Sequence, residues 1–429
     1  MYYSETRKFL ELLDTQEAKA FVITGTKGKT SLGLILNHCI RPFFKHIIKI
    51  DTTGVYWNND QISDREESIT HFGYPPTVMP GRYLYGLLKN AQIKLDEVAF
   101  ILEASLTSGV YGTGLLHHNV GILTNVLSDH IDGNRIKSRR DLLALKSFVF
   151  RELKPGGTYI TSLDGDLTKL SLKHQSLSKS RVKKIGITTN LSVKEAKQAR
   201  QALDLHEVLL QDQDRLISAR QNKCLLQLSA LEQDRILSQN CLFAMAAASS
   251  CPKLEIDEVS QQLKSFAFPE EYGRDLHYVK DDKDLFIDFA HEIDSLKIRV
   301  NKVYQETNVK PHIIIRISPD HSDIAIKKFA QSLLVLPVTS ITVYDKIDGF
   351  NKLIYRDRQG GVRKVGETAD IIESILLEAQ PDFKVKKIYQ ELEALNFNLR
   401  QNNFPLVHVY NRLEDVQDMI ADQFKLIKS

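Results

Sequence analysis

Short apolar runs ending in polar or glycine-bearing turns recur along the chain and alternate with stretches of helical spacing. The first run, Ala20–Thr24, reads as a strand. Behind it, Leu32, Ile35, Leu36 and Cys39 recur at helical spacing and predict a helix from Thr30 to about Ile40. Further strands read at His46–Asp51, Val98–Leu102 and Val120–Thr124. The stripe Leu142, Leu145, Val149 and Leu153 predicts an amphipathic helix over Asp141–Leu153, closed by Pro155, Gly156 and Gly157, with a strand at Thr158–Thr161. Strands alternating with helices argue for an α/β fold with a largely parallel, doubly wound sheet. Past about residue 270 the alternation restarts, with strands at Leu285–Asp288, His312–Arg316 and Ser340–Tyr344. Two domains are therefore expected, 1–268 and 269–429, with the boundary near Pro269, and no solenoid repeat is visible.

Composition narrows the class without naming a task. The 429 residues are too many for one compact core, and 42% hydrophobic with 26% charged residues is ordinary for a globular protein. A net charge of +3 gives no reason to expect a nucleic-acid partner, so the basic clusters Arg135–Arg140 and Lys179–Lys184 read as solvated faces. Cys39, Cys224, Cys241 and Cys251 are widely spread with no CxxC pair, which excludes a zinc site or a disulfide framework and fits a reducing compartment. The N-terminus is charged throughout, unlike a signal peptide, and no apolar run approaches membrane-spanning length. A cytoplasmic protein with no membrane partner is expected.

The chemistry begins between the first strand and the first helix. Gly25, Thr26, Lys27, Gly28, Lys29, Thr30 and Ser31 form a glycine turn in the setting where backbone N–H groups face phosphate oxygens at a helix N-terminus. Lys29 would reach the β- and γ-phosphates of a bound nucleotide, and the Thr30 hydroxyl would ligate Mg²⁺. The strict GxxxxGK[ST] pattern requires glycine where this chain has Ile23.

Thr24–Thr30, TGTKGKT, resembles the TGTNGKT loop of the Mur ligase family, which lacks that leading glycine. Ile101–Ser105 resembles the family's strand with a metal-binding glutamate, Thr124–Asp132 its TNxxxDHxD motif, and Ala144–Phe150 its lysine-bearing AKxxxF helix. Asp288–His291 is similar to its DYxHNP motif, and Gly273 with Arg274 to its GR segment. Within the family, Asp51–Tyr56, Gly114 with Leu115, and Val365–Ile372 look like the C-terminal ligase half of cyanophycin synthetases. The phosphate loop lies so near the N-terminus that neither a UDP-sugar-binding domain nor an ATP-grasp half is expected. The resemblance implies a P-loop doubly wound central domain followed by a smaller, Rossmann-like C-terminal domain. It also implies ATP-dependent amide bond formation: the γ-phosphoryl moves to a carboxylate, and an amine then displaces phosphate.

The resemblance assigns roles residue by residue. Glu103 would bind Mg²⁺ beside Thr30; the alternative is a carboxylate facing solvent at a strand end. His130, flanked by Asp129 and Asp132, would bind a second Mg²⁺. Lys146 lies four residues from Leu142 beside the apolar stripe, where a lysine is costly unless paired or modified. In some Mur ligases the matching lysine is carbamylated, so a cation, a carbamate and a snorkelling surface lysine all stay open. Asn125 would face nucleotide or substrate, Asn240 would belong to the nucleotide site, Arg274 would contact the γ-phosphate, Asp288 the ribose, and His291 would line a cleft that closes over ATP. His117 and His118 read as structural residues of a connector.

Three departures from the family pattern stand out. Phe243 occupies the position of the asparagine that would contact adenine, Glu292 and Ile293 replace an Asn-Pro pair, and Ser318–Asp323 lacks a basic pair expected near the incoming substrate. Phe243 leaves the base specificity open, and the missing basic pair implies an acceptor or amine substrate different from that of cyanophycin synthetases. The rivals to such a ligase are a poly-γ-glutamate-type synthetase and a non-catalytic nucleotide-binding subunit.

Overall fold

A computed structural model describes residues 11, 18–64, 67, 69–70, 73–88, 93–127, 136–179, 181–227, 235–251, 254–268, 273, 275–290, 293–316, 323–345, 366–411 and 413–428. The chain folds as two compact units, Met1–Phe266 and Ala267–Ser429.

The first unit carries strands β1 (Lys19–Thr24), β2 (His46–Ile50), β3 (Gly54–Trp57), β4 (Asp60–Asp64), β5 (Val98–Glu103), β6 (His118–Leu123), β7 (Leu153–Ser162), β8 (Lys183–Thr188), β9 (Glu207–Asp212), β10 (Arg215–Ser218) and β11 (Lys223–Gln227). They form one sheet in the order β11-β10-β9-β8-β7-β6-β1-β5-β2-β3-β4. The strands from β2 to β9 in that order run parallel, and antiparallel hairpins finish both edges. Every residue of β5 is buried, as a strand covered on both faces requires. The helix Lys29–Ile40 returns the chain from β1 to β2 across β5 and packs against helices Arg235–Ala248 and Ile256–Lys264. The connection from β5 to β6 crosses β1 in the opposite direction, so the C-terminal ends of β5, β1 and β6 flank the crevice where doubly wound sheets place ligands.

Two local expectations need correction. The amphipathic stretch 141–153 is two helices, Arg139–Lys146 and Phe148–Arg151, and Leu153 already belongs to β7. Ser147 makes the break: its N–H and its hydroxyl both donate to the Ala144 carbonyl, at 3.2 and 2.6 Å, closing a tight turn instead of continuing the helix. The strand after it absorbs Pro155, Gly156 and Gly157 through a register shift, in which His118 faces Leu153 but Val120 faces Thr158. His118 likewise opens β6 and is no connector residue; it is fully buried with Nε2 2.9 Å from the Val149 carbonyl.

The second unit has strands β12 (Leu276–Lys280), β13 (Lys283–Asp288), β14 (His312–Ile315), β15 (Ser340–Val343), β16 (Val385–Lys387), β17 (Leu406–Val409) and β18 (Lys425–Lys428), in the order β16-β15-β14-β17-β13-β12-β18. β13 to β17 are mutually parallel. Alternate residues serve opposite faces: Phe286 packs with Leu296, Phe329 and Ile372, whereas Leu285 and Ile287 pack with Leu395, Val416 and Ile420. The unit is therefore doubly wound as well. Among the described residues no helix is long and apolar enough to cross a membrane.

Candidate active site

The loop between β1 and the helix Lys29–Ile40 is shaped by its glycines. Gly28, at the helix N-cap, has φ 81°, and the cap makes no side-chain hydrogen bond, so the first helical amides stay open to an anion. Gly25 has φ 150°, and a Cβ there would lie 1.9 Å from Thr124 Oγ1. The loop rests on the residues that follow β6. Asn125 Oδ1 accepts from the amides of Thr26 (3.1 Å) and Lys27 (2.9 Å), and Thr124 Oγ1 donates to the Lys27 carbonyl at 2.6 Å. Leu127 N donates to Thr26 Oγ1 at 3.0 Å. On the helix Arg235–Ala248, buried Asn240 reaches the loop, its Oδ1 3.0 Å from where a Gly28 Cβ would stand. Lys146 is 3% exposed and its Nζ donates to the Gly25 carbonyl at 2.9 Å, which overturns the snorkelling alternative.

Charge gathers at the end of β5. Glu103 is 3% exposed; Oε2 accepts from Thr30 Oγ1 at 2.8 Å, and Oε1 lies 3.8 Å from Lys29 Nζ. The solvent-facing alternative for this carboxylate therefore fails. Burial raises its pKa above the usual carboxylate range, and nearby Asp51 adds to that, while Lys29, the Thr30 bond and Lys49 pull the other way. Lys29 Nζ also donates to the Thr26 carbonyl at 3.4 Å, which folds the ammonium back over the loop. Thr52 Oγ1 stands 3.3 Å from Thr30 Oγ1. Two hydroxyls beside a buried carboxylate are a hard-oxygen donor set, which fits Mg²⁺ completed by water and phosphate oxygens. Among the described residues no group of three or more His, Cys, Asp or Glu side chains is assembled for a metal.

The first unit thus brings together Gly25 to Ser31, Glu103, Asn125, Lys146 and Asn240. His130, with Asp129 and Asp132, lies outside the described residues, as do Arg274, His291, Glu292 and Ser318 to Ser322. Asp288 ends β13 in the second unit, where Oδ1 accepts from Phe289 N at 2.6 Å and Oδ2 lies 3.8 Å from Arg299 Nε. Phe243 is fully buried in the core. Sequence reasoning gave Lys49 no place in this region, and it gave Thr124, Asp51 and Thr52 no role of their own although they lie in the stretches 124–132 and 51–56. One signal was legible: a lysine inside the apolar run His46–Asp51.

A glycine loop that leads into an uncapped helix N-terminus at the crevice of a parallel sheet, with a lysine, a threonine and a buried glutamate beside it, defines a P-loop domain of the doubly wound α/β class. The family model for the Mur ligase middle domain matches residues 23–248, and the chain belongs to the Mur ligase family. Several solved structures share its fold at low identity. MurF from Acinetobacter baumannii is 14% identical with a TM-score of 0.60, over 97% of this chain and 79% of that one. The Mycobacterium tuberculosis folylpolyglutamate synthase complexed with ADP and AMPPCP is 12% identical with a TM-score of 0.66, over 97% and 94%. A bifunctional folylpolyglutamate synthase/dihydrofolate synthase from Yersinia pestis, complexed with AMPPNP and Mn ion, is 15% identical with a TM-score of 0.63, over 97% and 92%. No curated protein matches the chain in a sequence search.

Proposed function

We propose that the chain is an ATP-dependent ligase that joins a carboxylate to an amine through an acyl phosphate, releasing ADP and phosphate. The observation that carries this reading is the convergence of the uncapped amides of the first helical turn, Lys29, Thr30 and Glu103 at the ends of adjacent parallel strands. Phosphoryl transfer asks a protein mainly for positioning and for neutralisation of charge on the phosphate oxygens. The first amides of the helix Lys29–Ile40 and the Lys29 side chain hold the phosphates, and Thr30, Thr52 and Glu103 would hold the magnesium ion. When bound, that ion supplies charge neutralisation between the phosphates. Lys146, buried against the Gly25 carbonyl, acts as a phosphate-facing cation or as a carbamate; its bond to Gly25 suits both, because a carbamate nitrogen keeps one hydrogen.

The family resemblance supports further roles: a second metal for His130, the γ-phosphate for Arg274, the ribose for Asp288, and a substrate contact for His291. The likeness of Asp51–Tyr56 to cyanophycin synthetases supports amino acids and short acidic peptides as the substrates to try first. Fold likeness to folylpolyglutamate synthases motivates a glutamate-extending reaction as the second reading.

An ADP- and phosphate-release screen of the purified protein with Mg·ATP, against amino acids and short acidic peptides, tests the proposal. Release that needs both a carboxylate and an amine, and that disappears in Lys29→Ala, is the expected result. Nucleotide binding without release for any pair would point to a non-catalytic subunit, and absence of nucleotide binding would refute the site itself.

A further inference from the structure

Lys49 and Asp51 form a buried ion pair that takes no part in the roles above. Lys49 sits within β2 at 3% exposure, bonded to Asp51 Oδ2, with its Nζ 3.7 Å from the centroid of the Tyr56 ring. Asp51 is 2% exposed. A buried pair of this kind adds little stability over a well-packed apolar pair, because desolvation cancels most of the Coulomb gain. Its geometry indicates a different use. Asp51 Oδ1 accepts from Thr53 N at 2.8 Å and from Thr53 Oγ1 at 2.5 Å, and Asp51 N donates to the Gly54 carbonyl at 3.0 Å. These bonds anchor the backbone on either side of Thr52. Thr52 is exposed, and its hydroxyl is the group that stands 3.3 Å from Thr30 Oγ1.

We propose that Lys49 and Asp51 are a positioning pair for the metal site: the ammonium aims the carboxylate, the carboxylate builds the turn 51–54, and the turn holds the Thr52 hydroxyl beside Thr30 and Glu103 as a further oxygen for the divalent cation. The proposal rests on the reading of the site given under Proposed function. It makes Asp51 a residue that acts on the metal only through Thr52.

Mn²⁺ binding to the full-length protein with ADP, followed by electron paramagnetic resonance, tests it without recourse to turnover. Thr52→Val is expected to weaken Mn²⁺ binding several-fold, and Asp51→Ala and Lys49→Met to weaken it to a similar extent. The double variant Asp51→Ala/Thr52→Val should bind no worse than Asp51→Ala alone, and ADP affinity without metal should stay at the wild-type value in all of them. Should the buried-pair variants fail to fold, exposed Thr53→Ala removes part of the same anchorage and should weaken Mn²⁺ binding to a smaller extent. Losses that add in the double variant, or wild-type Mn²⁺ affinity in Asp51→Ala or Thr53→Ala, would overturn the positioning role. Thr30→Val separates the two levels: if it weakens Mn²⁺ binding while the Asp51 variants do not, only this inference fails. If Thr30→Val also binds like wild type, the reading of the site fails with it.

Discussion

Asn125→Ala tests how the phosphate loop is held. The side chain accepts from Thr26 N at 3.1 Å and Lys27 N at 2.9 Å, and its Nδ2 donates weakly to the Lys27 carbonyl at 3.3 Å. Thr26 N keeps a second acceptor, the Asn125 carbonyl at 3.1 Å, and the Lys27 carbonyl keeps Thr124 Oγ1 at 2.6 Å. The alanine variant therefore loses chiefly the acceptor for Lys27 N and part of that for Thr26 N. At about 1 kcal/mol net per hydrogen bond, the loss comes to roughly 1–2 kcal/mol. That energy no longer holds the empty loop in its binding shape, so the nucleotide must supply it, and affinity should fall by about 5- to 30-fold. Calorimetric titration of wild type and variant with Mg·ADP, with thermal unfolding in parallel, measures both effects. Asn125→Asp keeps the two acceptor positions but brings a negative charge towards the phosphates, so it should recover thermal stability without recovering affinity. Wild-type affinity in Asn125→Ala would show that Thr124 and Leu127 suffice to hold the loop, and would refute the bracing role.

Two further outcomes are expected. Burial holds the His118 imidazole down at a pKa of about 4, against an ordinary value of 6.5. Between those values the unfolded chain takes up a proton that the folded chain refuses, so stability, complete above pH 6.5, should fall by up to about 3 kcal/mol as the pH drops towards 4. Denaturant unfolding of His118→Gln across this range should lose that share of the slope, and equal slopes in the two proteins would argue against the neutral buried histidine. For Lys146, a carbamate predicts activity that falls when bicarbonate is stripped and a Lys146→Ala variant partly rescued by a short carboxylic acid. A cation predicts rescue by small amines and indifference to bicarbonate, and full activity in Lys146→Ala would dismiss both.

The alternation of apolar runs with helical spacing carried the architecture, because burial on both faces of a parallel sheet demands continuous apolar strands such as 98–102 and leaves little else for that segment to be. The phosphate loop was equally legible, since its function depends on residues adjacent in the chain: glycines where φ is positive, then Lys29 and Thr30 at the start of a helix. Motif resemblance named some of the residues that gather at that loop, but tertiary structure alone decided which atoms they pair with. Asn125 is 98 residues from the Lys27 amide it accepts from, and Lys146 is 121 residues from the Gly25 carbonyl it donates to. No local periodicity encodes such pairings; they follow from the strand order, which sets β1 between β5 and β6. The same order turned Lys146 from a lysine beside an apolar stripe into a buried contact of the loop, and placed the β2 end, with Lys49 and Asp51, next to Glu103. The helix expected over 141–153 failed for the opposite reason. Its apolar spacing was sound, but a single hydroxyl at Ser147 outcompeted the backbone ladder, a choice that hydrophobic pattern does not register.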